Sequence, residues 1–85
     1  MKFLKYENTL LNAQCIMNIC DISALGHGAI VIYYFDVVME KIDMWTFDCE
    51  DATATIERIE FFLDRQAGGS CFNLDDEVVK SNPNN

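Results

Sequence analysis

Positive charge is scarce in this chain of 85 residues: six Lys and Arg stand against 14 Asp and Glu, for a net charge of −8. A protein that binds nucleic acid directly needs a basic footprint to meet phosphates, so that class is excluded. Long apolar runs are lacking too. The longest, residues 29–35, stops at Asp36, far short of the roughly 20 uncharged apolar residues of a membrane span. The opening MKFLKYENTLLN has only Phe3 and Leu4 between Lys2 and Lys5 before Glu7 arrives, which is not the apolar run of a secretory signal; a cytoplasmic protein is expected. The cysteines, at positions 15, 20, 49 and 71, show no C-x-x-C spacing, and without an export signal the thiols are expected to stay reduced. If Cys15 and Cys20 share one strand, their odd separation points them to opposite faces.

What is present is a folding composition. Hydrophobic residues make up 51% of the chain and aromatics 12%, too much for a disordered acidic tail, and the length suits one domain. Residues 2–12 read as a hairpin broken at Glu7-Asn8. Residues 15–22 alternate loosely and read as a strand. Gly26-His27-Gly28 is a turn signal, and residues 29–35, rich in β-branched and aromatic side chains, form the expected central strand. A reversal at Met39-Glu40-Lys41 leads into an alternating strand over residues 42–49. Ala52, Ile56, Ile59, Phe62 and Leu63 recur at helical spacing behind Glu50-Asp51, and Gly68-Gly69 supplies a stop, so a helix is expected from about residue 51 to 67. The fold class is α+β: an antiparallel four- or five-stranded β-meander with one C-terminal α-helix packed on one face. Residues 1–69 make the domain, and residues 70–85 a partly ordered tail, mobile at its end, with too little apolar material for more than a short helical turn.

Three constellations bear on function. At about 100° per residue, Ala52, Ile56, Ile59 and Leu63 set the core-facing side of the helix, while Thr53, Glu57, Glu60 and Asp64 gather on another stripe. No Glu there is followed four residues later by a Lys or Arg, and Glu60 and Asp64 are a like-charged i,i+4 pair that costs a few tenths of a kcal/mol. Phe61 falls roughly opposite the core, an aromatic set among carboxylates, which is how interface centres are built. On the central strand, Ile30, Ile32 and Tyr34 line one face and Val31, Tyr33 and Phe35 the other. A single helix covers one face only, so a homodimer is expected, with Tyr33, Phe35, Trp45 and Phe47 as its seam or as a small pocket.

No cofactor or metal is expected. His27 sits in a glycine turn, the cysteines lack ligand spacing, and Gly26-x-Gly28 precedes a strand rather than the helix of a phosphate loop. Asp48, Glu50 and Asp51 are accounted for by the helix start, with Asp51 as N-cap; an EF-hand would need a glutamate where Ile59 stands.

The opening Lys5-Tyr6-Glu7-Asn8-Thr9-Leu10-Leu11-Asn12, followed by a meander and one helix, resembles small bacterial and phage proteins of sheet-plus-helix build. In size and acidity the chain is similar to phage-encoded inhibitors of bacterial defence such as anti-CRISPR proteins, many of them small acidic domains that occupy nucleic-acid channels. That likeness implies a non-enzymatic inhibitor that blocks a basic nucleic-acid-binding surface of a partner protein. The residues offered for this are Glu57, Glu60, Phe61 and Asp64, whose carboxylates, about 5 Å apart along a ridge, meet the Lys and Arg that otherwise meet phosphates. The alternative is a homo-oligomeric sheet protein with a structural or small-ligand-sequestering role.

Overall fold

The computed structural model describes residues 1–64 and 68–79. Its class is α+β, but the strands divide into two three-stranded sheets instead of one four- or five-stranded meander. The first sheet begins with β1 (Phe3–Tyr6) and β2 (Thr9–Asn12), an antiparallel hairpin closed by Glu7-Asn8. Alternation sorts its side chains: Leu4 lies opposite Leu11, both buried, and Lys5 opposite the exposed Leu10. Asn12 then caps a single 3-10 turn, Ala13–Cys15, its Oδ1 accepting the Gln14 N–H at 2.9 Å. Cys15 therefore lies on this turn and not on a strand with Cys20, so the alternation rule does not govern that pair.

The second sheet is the expected meander: β3 (Ile16–Asp21), β4 (Gly28–Asp36) and β5 (Lys41–Cys49), antiparallel and in chain order. The β4–β5 reversal occupies residues 37–40, earlier than the expected Met39-Glu40-Lys41. Asp36 is the cause, its Oδ1 accepting the N–H groups of Val38 and Met39 at 3.0 and 3.1 Å, and Glu40 closes the turn with φ +53°. This turn sets the register: Ile30 opposite Phe47, Ile32 opposite Trp45, Tyr33 opposite Met44 and Phe35 opposite Ile42.

Asp51 caps α1 (Ala52–Leu63), accepting the Ala54 N–H at 3.1 Å. The helix ends earlier than expected. Asp64 is extended, with ψ 137°, though its N–H still reaches the Glu60 and Phe61 carbonyls. Residues 65–67, the rest of the expected helix, lie outside the described residues. Lys2 donates to the Phe62 and Asp64 carbonyls and so places a cation at the negative end of the helix dipole.

The tail is corrected most. Residues 71–73 form β6 (Cys71–Asn73), which pairs parallel with β1 and completes the order β2-β1-β6; Leu74, on the following 3-10 turn Leu74–Asp76, is fully buried. Unpaired backbone along β1 recruits a segment that looks too polar to fold by itself. The end of the chain, where mobility is expected, lies outside the described residues. With Phe72 packed on the helix, 5.6 Å from Phe62 ring to ring, the buried side of α1 becomes Ala52, Thr55, Ile59 and Phe62. That is a rotation of roughly 50° from the expected side, and Ile56 and Leu63 become flanking contacts. Around Ile59, the core joins Leu4, Leu74, Ile30, Ile32 and Phe47.

Candidate functional site: the exposed helix face

The rotation of α1 decides what its outer side presents. Glu57 stands most nearly opposite the core, with Glu60 beside it at i+3, and both are exposed. Phe61 is 73% exposed, so the aromatic is in solvent as its helical position requires. It leans to one side, at the rim of an open groove of about 430 Å³ whose floor is Phe62 and Phe72 and whose walls include Ala54, Glu57 and Arg58. Asp64 is exposed at the C-cap, where its φ of −62° and its N–H bond to the Glu60 carbonyl keep it on the last turn. It stands at i+4 from Glu60, as expected, and ends the acidic ridge.

Arg58 is held by the chain itself. Its Nε donates to Glu77 Oε1 at 2.6 Å and its Nη2 to Thr55 Oγ1 at 3.3 Å. The wall of the groove is thus neutralised by a residue brought in after β6, and Glu57 and Glu60 have no ion-pair partner among the described residues. Thr55 is the one buried polar side chain of α1. Burial first, and then Asp21, Asp51 and Glu77, push the Cys49 thiol above its ordinary value against the opposing influence of the Thr55 side chain, and so keep it protonated, a poor nucleophile.

Tyr33, Phe35, Trp45 and Phe47 do not converge, and this expectation is corrected. Trp45 and Phe47 point inward onto Tyr6, with ring centroids 5.3 and 5.5 Å away, whereas Tyr33 and Phe35 lie on the outer face beside Met44 and Ile42. A turn centred on Glu40 would set Tyr33 opposite Phe47; the observed turn is centred between Val38 and Met39. A slip of that kind moves every β5 side chain to the other face. Phe35 and Trp45 both border an open recess of about 420 Å³ beside Leu10 and Tyr34, but Tyr33 and Phe47 do not reach it, so the four form no single seam or pocket. Asp36 was the available signal, since Asp commonly opens such turns.

Other polar contacts tie distant segments together, as where Lys5 Nζ meets Asp75 Oδ2 at 3.2 Å. His27 Nε2 lies 3.1 Å from Asp48 Oδ2 in the exposed β3–β4 turn, and the Asp21 carboxyl sits below its ordinary value of 3.8 because the Ser23 side chain and N–H bond it. Among the described residues no three His, Cys, Asp or Glu side chains are placed to hold a metal ion, and no helix is long and apolar enough to cross a membrane. The groove floor escaped the sequence reading because Phe72 reaches Phe62 through parallel pairing between chain ends, which no local pattern records. No protein family, curated protein or solved structure matches the chain.

Proposed function

We propose that this is a non-enzymatic binding protein, an acidic inhibitor that uses the outer side of α1 to block a basic nucleic-acid-binding surface on a partner. The observation that carries the reading is Phe61, exposed at the rim of an apolar-floored groove and flanked by the carboxylates of Glu57 and Glu60. An aromatic beside an apolar recess provides an anchor, and the acids around it provide steering toward Lys and Arg. Asp64 adds charge at the helix C-cap, one turn from Glu60. With a chain charge of −8, association with a cationic surface is accelerated, and the acceleration fades as salt screens exposed charges beyond about 8 Å at physiological ionic strength.

The test is kinetic. A partner captured from host extract is identified, and its release by a short DNA duplex shows that the two compete for one surface. Replacing Glu57, Glu60 and Asp64 by Gln is expected to lower the association rate and flatten its salt dependence. Phe61→Ala is expected to leave association nearly unchanged and raise the dissociation rate by about 5- to 150-fold, the equivalent of about 1–3 kcal/mol. A triple-Gln variant with unchanged rate and salt dependence means that the acidic face is only the solvated side of the helix.

A further inference from the structure

The register that separates the aromatics also builds a second surface, on the opposite side of the molecule from α1. The outer face of the β3-β4-β5 sheet carries Tyr33, half-buried, and Phe35 from β4 in rows with Met44 and Ile42 from β5, with Val31 already buried beneath its neighbours beside Thr46. Phe35, Ile42 and Met44 are 41%, 57% and 51% exposed, and α1 and the first sheet both pack on the other face. We propose that this face is the seam of a symmetric dimer, with a second copy of the chain as its occupant.

Charge selects that occupant. A chain at −8 repels its own copy wherever carboxylates meet, but the rows from Val31 to Phe35 carry no charged side chain, and β3 adds Asn18 and Cys20 to the same face; Asp48 stands at its end. A basic partner finds nothing to pair with there, whereas a second copy meets no opposing acid. Size agrees. Two nine-residue strands of about 30 Å and the six-residue β3 of about 20 Å, spaced about 4.8 Å apart, give a flat footprint of roughly 400 Å², within the range of a weak, dilution-sensitive interface. Patches of a few hundred Å² on a polar protein mark interaction surfaces. Because β4 runs along the midline, a two-fold axis lying in the interface, parallel to the sheet plane and passing over Tyr33, stacks the two outer faces about 10 Å apart and brings Tyr33 near its own counterpart.

Sedimentation equilibrium of the full chain decides it. The wild-type protein is expected to show twice the mass of one chain at roughly micromolar concentration, dissociating on dilution. Ile42→Glu combined with Met44→Glu faces four carboxylates across the seam and is expected to raise the dissociation constant by at least about 100-fold, with the circular dichroism unchanged. Phe61→Ala is expected to leave the dimer intact, so failure of the helix-face reading and failure of this one are distinguishable. Should the double variant lose its fold, Met44→Ser, expected to weaken the dimer about 10-fold, takes its place. A single-chain mass up to about millimolar concentration, or a dimer that neither variant weakens, overturns the proposal, whatever else occupies the face.

Discussion

Gly28 shows how much one residue decides. It opens β4 directly opposite Cys49, and a Cβ placed there runs into the Cys49 carbonyl oxygen, with the Glu50 carbonyl 3.2 Å away. Two backbones approach this closely only because the side chain is a hydrogen atom. Both carbonyls are main chain at the entry to α1 and cannot rotate aside. Gly28→Ala is therefore expected to destabilise the protein by about 1–3 kcal/mol, read as a melting temperature lower by at least about 4 °C; an unchanged melting temperature refutes the close approach. Gly26, two residues earlier, is needed for a different reason, its φ of +70°. In sequence the two glycines look alike, as one turn signal, and only the paired strands separate their roles.

At the scale of elements, β6 and the turn after it matter out of proportion to their length. Three residues pair with β1, and Leu74 buries its whole side chain among Leu4 and the residues of α1. Leu74→Ala is expected to cost about 2–5 kcal/mol in urea unfolding, a value typical of a central core position. A loss below about 1 kcal/mol would show that residues 71–79 are an appendage after all. The same segment supplies Glu77 to Arg58 and Phe72 to the groove floor, so a change that frees it is also expected to reshape the recess beside Phe61.

For the whole molecule, burial of a thiol and two phenols, reinforced by neighbouring acids, sets the response to alkaline pH. Cys49 is raised above its ordinary 9.0, first by burial and then by Asp21, Asp51 and Glu77; Tyr6 and Tyr34 are raised above 10.0, again first by burial and then by neighbouring carboxylates. In each case the folded state holds the proton more tightly than the unfolded chain does. The stability this contributes is complete below about pH 9 and is lost as pH rises through the raised values. Unfolding midpoints measured between about pH 8 and 11 are expected to fall, beginning near 9. Cys49→Ala, less stable at neutral pH because the site is buried, is expected to begin its decline nearer 10, where only the tyrosines contribute. An identical onset in the variant removes Cys49 as the cause.

The sequence alone determined the features that depend on neighbours in the chain. The β1–β2 hairpin, the apolar central strand, the Asp51 cap and the solvent position of Phe61 all follow from periods of two and 3.6 and from residues that satisfy backbone groups close by. Only the tertiary structure decided the division into two sheets, the rotation of α1 toward Phe62 and Thr55, and the face on which each β5 aromatic stands. Those depend on pairings between distant segments. Parallel pairing of Cys71–Asn73 with Phe3–Tyr6 carries no local signature, and a β-register turns on a single residue at the turn, because successive side chains on a strand point to opposite faces.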